Sequence, residues 1–333
     1  MKFIMIVSIA LLMLAKVCYA ENEVVVYTSE DKIFSEPVFQ VFERKTGIKV
    51  MAIYDTEETK STGLVNRLIA EKDNPQADVF WSGDPVRPVL LTIKGLTTPY
   101  VSSVAADIPK IYKDTDGRWT GFSARARIIL YNTNLVNMDE RPLSIFDFAK
   151  PMWRGQVAIA NPLFGTTSIH TAALFIVLGD EKARKFMNDL KANGVKIVSS
   201  NGEVKRLVAR GEVKAGITDT DDANVAIKEG SPVKIVFPDQ TSIGTLIMPN
   251  MVCLIKSGPN QENGKKLIDY LVSMEVEKSL AWAPCAQMPL RYDVRTPADV
   301  LTIDAVKGMN VNYHDVAKKL EEIGEFLKQW AGY

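Results

Sequence analysis

Short β-branched runs alternate with stretches of helical spacing twice along this chain, and that alternation constrains the fold more than any other feature. The first series runs "EVVVYT" (23–28), "SEPVFQVFERKT" closed by Gly47, "IKVMAIY" (48–54), "TGLVNRLIAEKDNPQ" (62–76) and "ADVFWS" (77–82). Strand, helix, strand, helix, strand is the order of a parallel sheet covered by helices on both faces. The second series starts at "GQVAIA" (155–160). It passes through two helical stretches to "VKIVS", then through "VKRLVARGE" to "VKAGITD", and ends with "ANVAIKEG" and "PVKIVFP" (232–238). Two similar α/β halves follow.

The apolar segments "GFSARARIILYNTNLV" (121–136) and "GTLIMPNMVCLIKSG" (244–258) stand between and after these halves. A chain that crosses to a second lobe and returns needs two connecting strands, so both lobes become discontinuous in sequence and a cleft opens between them. The expected division is residues 21–125 with 245–290 for one lobe, and 126–244 with 291–333 for the other. Ligands of open parallel sheets sit beyond the carboxyl ends of strands. The loops that meet this condition are "YTSED", "WSGDP", "FGTTS" and "TDTDD".

The first 20 residues, with Lys2, an apolar stretch from Phe3 to Leu14 and small residues at Cys18 and Ala20, read as a secretory signal peptide cleaved after Ala20. The chain has 40 basic and 40 acidic side chains; loss of Lys2 and Lys16 leaves 38 against 40, about −2. That balance gives no reason to expect nucleic acid or an anionic membrane as partner. At 333 residues, with 47% hydrophobic content, the chain exceeds what a single core usually supports. Cys253 and Cys285 could pair in an oxidising compartment, but two buried free thiols are the simpler expectation.

At the four loops, and through "SARARIILYNTNL", "TGIKV", "ADVFWS", "GVKIV" and "GEVKAGITD", the sequence resembles the periplasmic substrate-binding proteins of ABC importers, in particular the ferric-iron-binding type of the transferrin-like class. The resemblance spans residues 23 to 290. It implies a two-lobed type II periplasmic-binding-protein fold, each lobe a sheet flanked by helices and joined to the other by two hinge crossover strands. It further implies a periplasmic, monomeric protein that closes on a small anionic or zwitterionic solute, or a ferric or other metal–anion complex, and delivers it to an inner-membrane permease. No cofactor is expected. Iron binders of that type carry two consecutive tyrosines where Asp221 and Asp222 stand here, a glutamate at the place of Gly83 and, in some, a histidine at the place of Asp31. Their iron-ligand set therefore does not carry over; any metal would fall to Asp221 and Asp222.

The candidate site is read from residue chemistry. Arg125 and Arg127 are two apart on a strand and share a face; a buried guanidinium needs a partner charge, and an arginine there can fork a carboxylate, carbonate or phosphate. The resemblance favours Arg127 as the anion holder; salt bridges across the hinge are the alternative. Thr166 and Thr167 open a helix after a glycine, a place suited to an anion or to simple capping. Thr28, Ser29 and the amides near Asp31 make the same arrangement in the first lobe, with Trp81 and Ser82 at a strand end as wall or contact. Of Asp219, Asp221 and Asp222, Asp219 or Asp221 could cap a helix beginning at Ala223, which leaves at least one carboxylate to accept an ammonium group or a hard cation. The calcium-loop pattern fails, with no glycine at the sixth position from Asp219. His170 and His314 are the only histidines.

A different class of function, a secreted serine acyl hydrolase, would use Ser29 and Lys32 as S-x-x-K with Lys256-Ser257-Gly258 in place of K-T-G. No S-D-N stands between them, and no other catalytic fingerprint appears.

Overall fold

The computed structural model describes residues 22–55 and 62–333. The expected signal peptide lies outside the described residues. The chain opens with β1 (Glu23–Thr28), α1 (Lys32–Thr46), β2 (Lys49–Tyr54), α2 (Thr62–Ala70), β3 (Val79–Ser82), α3 (Val86–Ile93) and β4 (Thr97–Thr98). A long strand, β5 (Thr120–Asn132), leads to β6 (Val157–Ala160), α4 (Gly165–Leu178), α5 (Asp180–Ala192), β7 (Lys196–Val198) and α6 (Asn201–Ala209). Then come β8 (Ala215–Asp219), α7 (Thr220–Lys228), β9 (Val233–Val236), β10 (Ile247–Ile255), α8 (Gln261–Leu271) and α9 (Met274–Trp282). The chain ends with α10 (Tyr313–Glu322) and α11 (Gly324–Ala331).

The sheet order β2-β1-β3-β10-β5-β8-β6-β7 contains two lobes that share β5. Up to Ala126, β5 lies antiparallel to β10; from Arg127 onward it lies antiparallel to β8 and, on its other edge, to β9. β10 also pairs with β3, Val252 opposite Trp81 and Cys253 opposite Phe80, so the chain returns to the first sheet after leaving the second. β1 with β2 and β3, and β6 with β7 and β8, are parallel, as the βαβ alternation requires.

Apolar layers cover both faces of the through-running sheet. Phe122, Ala124, Ala126, Ile128 and Leu130 point into one layer, Ile129 and Tyr131 into the other. This period of two on β5 places Arg125 and Arg127 on the face of Ile129 and Tyr131, at the point where one sheet gives way to the next. The expectation of a shared face for the two arginines agrees with this parity.

Some element ends differ from the sequence reading. α2 stops at Ala70 rather than running on to Gln76, because the turn at Glu71–Asn74 precedes Pro75. α7 starts at Thr220 rather than Ala223. Around the carboxy-terminal division, Arg291 is held by Glu277 and Asp107, and Met288 bridges to Ala124, whereas α10 packs on both α4 and α3. Cys253 and Cys285 are both free and buried, and burial pushes both thiols well above their ordinary pKa.

Candidate ligand-binding cleft

Loops that follow β1, β3, β6, β7 and β8 converge with Arg125 on a cleft of about 410 Å³. Five helix starts meet there: α1 after Ser29 and Asp31, α3 after Gly83 and Asp84, α4 at Gly165 and Thr166, α6 at Asn201 and Gly202, and α7 after Asp219. The N-cap positions of α1, α4 and α7 make no side-chain cap hydrogen bond, whereas Ser200 caps α6 by accepting from the Glu203 amide at 3.1 Å. The positive ends of α1 and α4 favour negative ligand groups, whereas the first turn of α7 already holds Asp221, which accepts the Asp222 amide.

The acidic corner is organised by the protein's own cations. Asp219 Oδ1 accepts from Arg127 Nη1 at 2.7 Å, and its Oδ2 accepts from Thr166 Oγ1 at 2.7 Å and Asn201 Nδ2 at 3.1 Å. Capping by the Asp219 carboxylate is thereby displaced; a buried guanidinium is the stronger claimant. Asp221 Oδ2 lies 2.8 Å from Arg125 Nη1, while Oδ1 accepts the adjacent Asp222 amide at 3.0 Å. Asp222 is half-buried, with Lys205 Nζ at 4.0 Å and the Thr218 hydroxyl donating at 3.4 Å. Carboxylate oxygens of the three aspartates lie within 4.8 Å of one another.

Arg125 spans the lobes. Its Nη1 meets Asp221 on α7, and its Nη2 donates to Glu30 in the loop after β1. Glu30 is fixed from its other oxygen by Gln287 Nε2 at 2.9 Å. Burial alone would depress the Arg125 pKa; the charges of Asp221, Glu30, Asp219 and Asp31 outweigh it and push it well above the usual arginine value.

Not every candidate reaches the cleft wall. Ser29, Asp31, Arg125, Thr166, Asp219, Asp221 and Asp222 line it. Arg127 does not: it is fully buried behind the corner, spending its donors on Asp219, Thr166, Asn201 and the Thr167 hydroxyl. The expected anion holder thus stands as a buried organiser, because it pairs with the aspartate opposite it on β8. Thr167 is consumed by that same guanidinium. Thr28 and Ser82 are buried and accept from the amides of Glu30 and Asp84, shaping the two first-lobe loops. Trp81 is core, neither wall nor contact: it is fully buried, its indole donates to Asn250 Oδ1 at 3.2 Å and its ring packs on Phe39 and Phe122.

Asp84 and Phe164 belong to the expected loops "WSGDP" and "FGTTS" without having been singled out, and Asn161, Ser199, Ser200, Asn201, Gly202 and Arg206 escaped the sequence reading. "SNGE" at 200–203 carried a legible signal, a Ser three residues before a Glu at a helix start. The Glu30–Arg125 pair carried none, since 95 residues separate its members. Among the described residues that line the cleft there is no tyrosine, histidine or cysteine. The hydrolase arrangement is not assembled: Ser29 is engaged with Gly83 and Ser82, Lys32 is turned to Glu36, and Lys256 and Ser257 line a separate cavity.

Two α/β lobes that share crossing strands, with helix starts facing each other across a polar cleft, define a solute-binding protein of the two-lobed kind. Residues 74–305 match the family described as bacterial extracellular solute-binding protein, and the chain belongs to that family. It is 29% identical over 274 residues to iron uptake protein A1 of Synechocystis, covering 78% of this chain and 74% of that protein. It is also 29% identical over 323 residues to a periplasmic protein of Salmonella typhimurium assigned, in its name, to 2-aminoethylphosphonate, covering 91% and 90%. Among solved structures, iron-bound HitA from Pseudomonas aeruginosa superposes with a TM-score of 0.83 at 20% identity, over 93% of this chain and 99% of that one, a likeness of fold. Among the described residues no helix is long and apolar enough to cross a membrane.

Proposed function

We propose that this solute-binding protein of an ABC importer works in the periplasm as a monomer, freed of residues 1–20, and captures a small zwitterion with a phosphonate or phosphate at one end and an ammonium group at the other. The single observation that carries this reading is the charge composition of the cleft, donors for an anion beside an excess of carboxylates. Helix starts at α4 and α6, with Ser199, Ser200 and Arg206, offer donors to an anion, while Asp31, Asp84, Asp219, Asp221 and Asp222 stand in the same lining; with their direct partners included, seven carboxylates (these five, Glu30 and Glu203) face five cations (Arg87, Arg125, Arg127, Lys205 and Arg206). An anion alone would leave that excess of negative charge unanswered; a ligand carrying its own cation answers it. A ferric centre held by tyrosinates has no tyrosine to use in this lining. The Salmonella relative, matched over nearly its whole length, supports the same ligand class.

Ligand binding across both lobes stabilises the closed arrangement by the difference in contacts between closed and open states. Calorimetric titration of the purified protein with 2-aminoethylphosphonate, ethylphosphonate, ethanolamine and ferric citrate tests the reading. The expected result is saturable binding of the zwitterion, each half-ligand weaker by on the order of 100-fold, about 2.7 kcal/mol, and no tyrosinate-to-iron charge-transfer colour. Ethylphosphonate binding as tightly as the zwitterion would overturn the role of the acidic pole.

A further inference from the structure

We infer that Arg125 is the specificity-determining residue that keeps metal ions out of this cleft, by filling with a fixed guanidinium the place that the acidic corner would give to a hard cation. The inference deepens the zwitterion reading and rests on it. Three aspartates with oxygens within 4.8 Å of one another are the donor chemistry of a hard-metal site. Each already faces a protein cation: Asp219 faces Arg127 at 2.7 Å, Asp221 faces Arg125 at 2.8 Å, and Asp222 faces Lys205 at 4.0 Å.

Of the three cations only Arg125 both lines the cleft and stands against the corner from the ligand side; Arg127 is fully enclosed and Lys205 is at the edge of contact. Metal coordination requires several oxygens to turn their lone pairs inward on one point at about 2.0–2.6 Å. Asp221 has neither oxygen uncommitted: Oδ2 is directed at Arg125 at 2.8 Å and Oδ1 accepts the Asp222 amide at 3.0 Å. A ligand ammonium makes a smaller demand, because a carboxylate that accepts from a guanidinium still has further acceptor positions.

A second observation concerns the glycine beside this pair. A Cβ at Gly83 would lie 2.7 Å from Glu30 Oε2 and 3.3 Å from Arg125 Nη2. A side chain at 83 would press on the far ends of Glu30 and Arg125, so the pair in its present seat goes with a bare position at 83. The bracket of Glu30, Arg125 and Asp221 and the bare position at 83 form one arrangement that excludes an ion from both lobes.

The test titrates terbium(III) and calcium chloride into wild type, Arg125→Met and Arg125→Met/Asp221→Asn, with circular dichroism to check folding. Wild type is expected to show no saturable metal binding in the cleft. Arg125→Met is expected to gain saturable terbium binding, at least on the order of 100-fold tighter than the weakest binding the titration can detect, and the double variant is expected to lose that gain. Tight terbium binding by wild type that 2-aminoethylphosphonate displaces, or no gain in folded Arg125→Met, overturns the inference. Where Arg125→Met does not fold, Glu30→Gln/Arg125→Gln removes the buried acid together with its partner and carries the same expectation. Titration of wild type with 2-aminoethylphosphonate alone reports on the ligand assignment: its failure beside the expected metal pattern sinks that assignment and leaves the role of Arg125, and the converse sinks the role alone.

Discussion

Arg127 spends four donor contacts on Asp219, Asn201, Thr166 and Thr167 without touching solvent. Removing one member of a buried ion pair leaves the other charged and unpaired, which costs about 3–5 kcal/mol. Arg127→Met is therefore expected to lose roughly that much in urea unfolding, with Asp219→Asn in the same background restoring part of it. A loss confined to ligand affinity, with stability unchanged, would return Arg127 to the cleft wall. His170 lies beside this pair. Burial, and then the Arg127 charge, lower its pKa from 6.5 to about 3, so it is neutral in the native protein at neutral pH. Between those values the unfolded chain takes up a proton that the native state refuses, and stability falls as pH drops through that window by on the order of 5 kcal/mol. His170→Met should flatten this part of the stability-versus-pH curve; an unaltered slope would show that carboxylates alone set it. At this scale the sequence disclosed which side chains carry charge and, through the spacing of Arg125 and Arg127, that they share a face. It did not disclose that Arg127 faces Asp219 across two strands, because register between strands far apart in sequence leaves no local trace.

At the scale of elements the parallel series were legible because strand and helix periods alternate without ambiguity. Ends were less so where tertiary partners set them. The start of α7 follows directly on the end of β8, with Asp219 fixed by Arg127 rather than by capping, and nothing in "TDTDD" alone distinguishes this from a later start. The close packing of β8 on α6 depends on Gly216: a Cβ there would lie 2.4 Å from Val204 Cγ1 and 2.8 Å from the Ala158 carbonyl oxygen. Overpacking of this kind typically costs about 1–3 kcal/mol. Gly216→Ala is expected to lower the urea midpoint accordingly and, by shifting α6, to weaken 2-aminoethylphosphonate binding; a variant with wild-type stability and affinity would show that α6 can move without disturbing Asn201.

For the whole molecule, the discontinuous lobes were readable from two apolar crossings, yet the role of the carboxy-terminal helices was not, since their partners lie in both lobes. α10 packs on α3 and α4, its Tyr313 hydroxyl donates to the Ile247 carbonyl at 2.7 Å, and exposed ion pairs tie it outward: Glu321 to Lys94 at 3.6 Å, and Lys319 to Asp180 at 3.3 Å. On the proposed closing motion, an element fastened to both lobes is expected to act as a governor on how often they part, and so on how fast a ligand enters. Exposed pairs contribute under about 1 kcal/mol to stability, yet the same small energy, placed on the opening equilibrium, multiplies the open fraction several-fold. Glu321→Gln/Asp180→Asn is expected to leave the unfolding midpoint nearly unchanged while raising the association rate of 2-aminoethylphosphonate in stopped-flow mixing; equal rates in the two proteins would free the strap of that duty. A faster rate in that variant would make the tail of this chain, remote from the cleft in sequence, a setter of the tempo of capture.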